Sequence, residues 1–175
     1  CTEVQSCIRF GYRRDLSMRL VWLSGTLALL LLGGLAWYLG PLEPGVFALQ
    51  LAFTPRAFGD IIHLWSAENL ARYRIHLLMD FALILAYSVF GHSLASRLRM
   101  FASLSRFWSW FARWCLPGAG ALDVVENVLH GWLTEVPRFG VPLVYTVSAS
   151  CSLAKWLLLA AFALLVAYAA ARAET

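Results

Sequence analysis

Two pairs of residues in this sequence have the spacing of metal ligands on a helix: His76 with Asp80, and Glu126 with His130, each four residues apart. Positions i and i+4 lie one turn apart on the same face, so each pair aims two donors in one direction. Imidazole with carboxylate is a donor set that suits zinc, iron or manganese, and Asp123 adds a fifth candidate donor. The same groups could instead bind a proton or a small ligand in a polar cavity. A third use is structural, with hydrogen bonds and ion pairs fixing which helix packs on which. No HExxH or ferritin-type ExxH motif occurs, and there is no GxSxG, P-loop or dinucleotide fingerprint. The structural use therefore ranks first, a ligand or proton cavity second and a metal-dependent membrane enzyme third. The cofactor is left unknown.

The polar residues fall on two stripes. In ALDVVENVLHGWL, residues 121–133, the groups Asp123, Glu126, Asn127 and His130 fall within about 100° of helical arc, surrounded by apolar residues. In the preceding apolar segment His76, Asp80 and Tyr87 fall within about 40°. Measured inward at about 1.5 Å per residue, the two stripes reach matching depths and are expected to face each other. Lys155, inside the last apolar segment, could reach the same layer as a counter-charge.

Composition decides what surrounds these stripes. Of 175 residues, 61% are hydrophobic and 14% charged, against roughly 45–50% and about 25% in a soluble domain. Mean hydropathy is +0.68. A water-soluble fold of this length could not cover so much apolar side chain, so the expected solvent is a lipid bilayer. An ionised carboxylate at the centre of a bilayer costs at least ~2.5–3.5 kcal/mol, so the acids must be neutral, paired, hydrated or metal-bound.

The expected fold is all-α: a single integral membrane domain, a four-span transmembrane bundle with spans near residues 20–39, 73–91, 118–134 and 150–171. Arginines cluster in the N-terminal arm (Arg9, Arg13, Arg14, Arg19) and in the link between spans two and three (Arg97, Arg99, Arg106, Arg113), which has no acid. The positive-inside rule then puts both termini and that link in the cytoplasm of a bacterial inner membrane, and the polar cluster toward the outer face.

Two connections have structure of their own. Thr54-Pro55 reads as an N-cap followed by proline in the first turn, starting a short outer helix through Phe58, Ile61, Ile62 and Trp65; Ser66 then caps the helix of span two. RFWSWFARW, residues 106–114, reads as an interfacial helix, with Trp108, Trp110 and Trp114 at headgroup level and Arg106 and Arg113 reaching lipid phosphates. Nucleic acid is not an expected partner of so apolar a chain; lipid is, with other membrane subunits or a small hydrophobic ligand as further candidates. Cys1, Cys7, Cys115 and Cys151 show neither metal-site spacing nor a disulfide framework. Met18-Arg19 would make a natural start to the first span, leaving residues 1–17 as a possible disordered or extraneous arm.

MDFALILAY (residues 79–87) followed some forty residues later by LDVVENVL (residues 122–129) resembles a group of small bacterial four-helix membrane proteins. Those proteins share a D-F-x-x-I/L-x-x-Y segment and a D-x-x-E-N segment. The resemblance covers the chain from about Phe53 onward. It implies that Asp80, Tyr87, Asp123, Glu126 and Asn127 belong to one shared site, and it implies no activity.

Overall fold

The computed structural model describes the backbone of residues 2–98, 100–101, 104–136 and 138–173, and the side chains of residues 18–98, 100–101, 104–136 and 138–172. The side chains of Cys1, Cys7, Arg9, Arg13 and Arg14, and all of Arg99, lie outside the described residues. Among the described residues the chain is all-α: α1 (Thr2–Leu39), α2 (Val46–Gln50), α3 (Pro55–Leu64), α4 (Ala67–Arg97), α5 (Arg106–Leu133) and α6 (Pro142–Ala173).

The helix ends follow from local chemistry. Gly40-Pro41 stops α1, and Arg72 Nη1 donates to the carbonyl of Tyr38 at 3.2 Å, a cation on the last turn of the helix. Thr54 Oγ1 accepts from the Ala57 amide at 3.2 Å and Ser66 Oγ from the Asn69 amide at 3.1 Å, so both expected N-caps are present. The short α2 was not expected; its N-cap is Gly45, with no side-chain capping bond to mark it.

One expected boundary is corrected. Leu116-Pro117-Gly118 reads in sequence as a break between an interfacial helix and a span, yet α5 runs through it without interruption. The aromatic segment is therefore the first part of α5 and not a helix of its own. Proline at position 117 supplies no N–H to the carbonyl of Arg113 four residues earlier. His92 of α4 supplies one instead: its Nδ1 donates to that carbonyl at 3.2 Å. The defect in the ladder is filled from the neighbouring helix.

Three helical segments, Met18–Leu39, Ala67–Arg97 and Pro142–Arg172, are long and apolar enough to cross a membrane, which marks this as a membrane protein by length and composition. Their surfaces agree with a lipid solvent. Trp22, Leu29, Leu78, Leu143 and Leu164 are each more than 70% exposed, while Glu126 is 0% exposed and Lys155 4%. Helix α5 is not among the three, because its charged and polar side chains dilute its hydropathy. It packs along α4 on one side and α6 on the other, while α1 packs on the opposite side of α4.

The interior is layered. One apolar cluster gathers Ala28, Leu35, Leu83, Leu116 and Phe162; the other gathers Leu42, Leu49, Phe58, Trp65, Leu77, Leu133 and Tyr145. On α5 and α6 the buried charged groups fall between the residues contributed to these two clusters, and on α4 Asp80 falls between Leu77 of one and Leu83 of the other. The polar layer is thus closed off by hydrocarbon above and below.

Candidate functional site

The polar layer is built by three helices that each present one stripe. On α4 the stripe is Tyr73, His76, Asp80 and Tyr87, all no more than 9% exposed. On α5 it is Asp123, Glu126, Asn127 and His130, all no more than 5% exposed. On α6 Ser148, Ser152 and Lys155 follow one another at four- and three-residue spacing, the repeat that keeps side chains on one face.

Cross-helix bonds join these stripes in antiparallel order. Near the start of α4, the Tyr73 hydroxyl shares a 2.6 Å hydrogen bond with His130 Nδ1. One turn deeper, His76 Nδ1 donates to the backbone carbonyl of Tyr73 at 2.6 Å, a bond within α4. Asn127 Nδ2 donates to Asp80 Oδ2 at 2.7 Å. Deeper still, the Tyr87 hydroxyl donates to Asp123 Oδ2 at 3.0 Å. Lys155 closes the layer from α6, its Nζ lying 2.5 Å from Asp123 Oδ1 and 2.7 Å from Glu126 Oε2.

This chain matches no family model, no curated protein and no solved structure. What the arrangement can do must be read from its own geometry.

A charge out of water needs an opposite charge and directed hydrogen bonds. The Lys155 ammonium sits between two carboxylates, and the second oxygen of Asp123 accepts a hydrogen bond from the Tyr87 hydroxyl. The histidine end is roofed by aromatic rings. Phe58 of α3 lies 5.5 Å from the His130 ring and 5.2 Å from Tyr145, and Trp65 lies 5.1 Å from Tyr73. Trp65 is itself held by a 2.8 Å bond from its Nε1 to the Pro44 carbonyl. The connection between α1 and α4 therefore lies over the histidine end of the layer.

The four candidate metal ligands are distributed among different partners. His76 turns Nδ1 to a backbone carbonyl and His130 turns Nδ1 to a tyrosine, while Asp80 accepts from Asn127. Glu126 Oε1 is 3.8 Å from His130 Nδ1, beyond hydrogen-bonding distance. Among the described residues, no group of three or more His, Cys, Asp and Glu side chains is arranged to hold a metal ion.

All eight sequence-derived cluster residues are buried, and seven of them make side-chain contacts with another of the eight. His76 is the exception, linked through Tyr73. Tyr73, Ser148 and Ser152 were missed. Tyr73 stands three residues before His76 and seven before Asp80, a helical register that would have revealed it. The serines carry no such signal, since short hydroxyls in an apolar helix usually satisfy themselves on their own backbone. Ser152 does so, donating to the Ser148 carbonyl at 3.1 Å. At the other end of α5, Arg106, Trp108, Trp110, Arg113 and Trp114 are all exposed, and Trp114 meets His92 edge-on at 5.3 Å.

Proposed function

We propose that this protein is a four-span bundle of the bacterial inner membrane with a structural or interaction role, as a subunit of a membrane complex, and that its intramembrane polar layer specifies how the helices pack. The observation that carries this reading is the bridging of Asp123 and Glu126 by Lys155 from a third helix. In a bilayer, apolar contact alone discriminates poorly between helix pairs, because lipid tails are as apolar as leucine. Directed polar pairs supply the missing choice of partner and register.

Spanning by α5 is supported by its pairing with α4 at both ends. Tyr73 meets His130 at one end, and His92 meets the Arg113 carbonyl at the other. A helix antiparallel to a spanning helix over that length spans as well; its 28 residues, at about 1.5 Å each, exceed a ~30 Å hydrocarbon core. With Arg97, Arg106 and Arg113 at one end of this pair, that end and both termini face the cytoplasm.

The test of the functional reading is to purify Lys155→Met and Asn127→Leu variants in mild detergent, assaying fold, co-purifying subunits and bound metal or small molecules. A packing role requires loss of fold or of subunit association. Variants that fold and associate normally but shed a metal or small molecule carried by the parent would overturn it.

A further inference from the structure

Beside the polar layer, an open groove of about 460 Å³ runs between α4 and α5. Its walls include Leu78 and Phe81 of α4 and Val128 and Trp132 of α5; Asn127 lines it, and Arg74 stands toward the outer end of α4. The walls are open sideways, with Leu78 74% and Val128 59% exposed. In a membrane this groove faces lipid.

Its charge is placed at one end. Arg74 makes no hydrogen bond or ion pair among the described residues, although its neighbour in sequence, Arg72, is tied to Glu68 and to the end of α1. Arg138, just beyond α5, lies with its guanidinium carbon 4.2 Å over the Trp132 ring that lines the same groove. Two guanidinium groups thus flank the outer end of an apolar trough. Guanidinium binds phosphate through paired N–H donors, and tryptophan favours the headgroup level of a bilayer. The volume lies within the range of ordinary ligand sites, about 300–1,000 Å³.

We propose that this groove is a binding site for an anionic phospholipid of the outer leaflet, its phosphate held by Arg74 and Arg138 and an acyl chain lying along Leu78, Phe81 and Val128. The inference goes beyond the packing role. It rests on the crossing of the membrane by α4 and α5, and not on how the polar layer is used. Because Asn127 both lines the groove and bonds Asp80, an occupant touches the same residue that ties the two helices together.

The full chain, purified in a neutral detergent, is titrated with phosphatidylglycerol or with phosphatidylcholine of the same chains, and retained lipid is counted by native mass spectrometry. Retention of phosphatidylglycerol at a tenfold or greater preference is expected, with the preference lost in an Arg74→Gln/Arg138→Gln variant. Val128→Trp, which fills the trough, should reduce retention of both lipids; the arginine variant leaves the groove walls intact, so its result stands if Val128→Trp fails to fold. Equal retention of the two lipids, or a preference that survives the arginine changes, would overturn the proposal. In vesicles of lipid brominated at the first carbons of the chain, next to the headgroup, the quenching lost on Trp132→Phe separates the two levels of failure. No lost quenching with either headgroup means that α5 does not face lipid, and the crossing itself fails. Equal quenching with both headgroups leaves the crossing intact and removes only the lipid site.

Discussion

The ammonium of Lys155 lies 2.5 Å from Asp123 Oδ1, across the interface between α6 and α5, with both side chains buried. Neither residue could stand alone there. An isolated ion in a medium of low dielectric constant carries a desolvation cost of several kcal/mol even after relaxation, about what a close opposite charge returns. Such a pair adds little net stability while it is intact and penalises every arrangement of helices that breaks it. On the proposed packing role, that asymmetry is the source of specificity.

The bond between Asn127 and Asp80 follows the same logic on a smaller scale. Asn127→Leu removes the only side-chain donor that Asp80 has among the described residues and should cost ~1–3 kcal/mol, the range for stranding a buried polar group. Adding Asp80→Leu should recover part of that loss. Reversible unfolding in mixed micelles measures both changes; a double variant as unstable as the sum of the singles would show that the two groups do not depend on each other.

At the end of α5 that carries Arg106 and Arg113, His92 supplies the donor that proline at position 117 lacks. His92→Ala should therefore destabilise the parent by ~0.5–1.5 kcal/mol, the net worth of one hydrogen bond, beyond any loss from its contact with Trp114. Pro117→Ala restores the N–H of a regular helix, and in that background the same histidine substitution should cost less. Equal costs in the two backgrounds would mean that the imidazole does not substitute for the missing donor.

Two glycines of the long helices make opposite demands. A Cβ at Gly91 would lie 2.6 Å from the Cβ of Leu116, so Gly91→Ala must push α4 and α5 apart and should cost ~1–3 kcal/mol. Gly33 has nothing within 4 Å of the corresponding position, and Gly33→Ala should leave stability unchanged or raise it by up to ~1 kcal/mol. Thermal unfolding of the two variants side by side tests the closeness of α4 and α5; a neutral Gly91→Ala would count against it.

Most of the polar layer was legible in the sequence because ionisable residues are conspicuous in apolar helices, and their 3- and 4-residue spacing names the face they share. Lys155 was readable as a counter-charge for the same reason. The pairing itself was not. Asp80 and Glu126 lie at similar depth, yet Asp80 bonds Asn127 and Glu126 meets Lys155, a choice made by side-chain length and rotation about the helix axes. The short helix α3 announced itself through Thr54 and Pro55, whereas α2 had no capping side chain to reveal it. Pro117 misled for an instructive reason: the rule that proline ends a helix assumes no outside donor, and His92, 25 residues earlier in the chain, is one.

Lys155 of α6 lies within reach of two acids of α5 and is proposed to be their shared counter-charge. That role is tested most directly by a double-mutant cycle on unfolding free energy, comparing Lys155→Met, the pair Asp123→Leu/Glu126→Leu, and all three changes together. Removing the lysine alone leaves two buried acids without their cation and should cost ~3–5 kcal/mol, while the fully apolar variant should return to within about 1–2 kcal/mol of the parent. The expected coupling is therefore well above ~0.5 kcal/mol, the scatter of independent sites. Additivity within that scatter would mean that Lys155 does not neutralise Asp123 and Glu126 in the folded membrane protein.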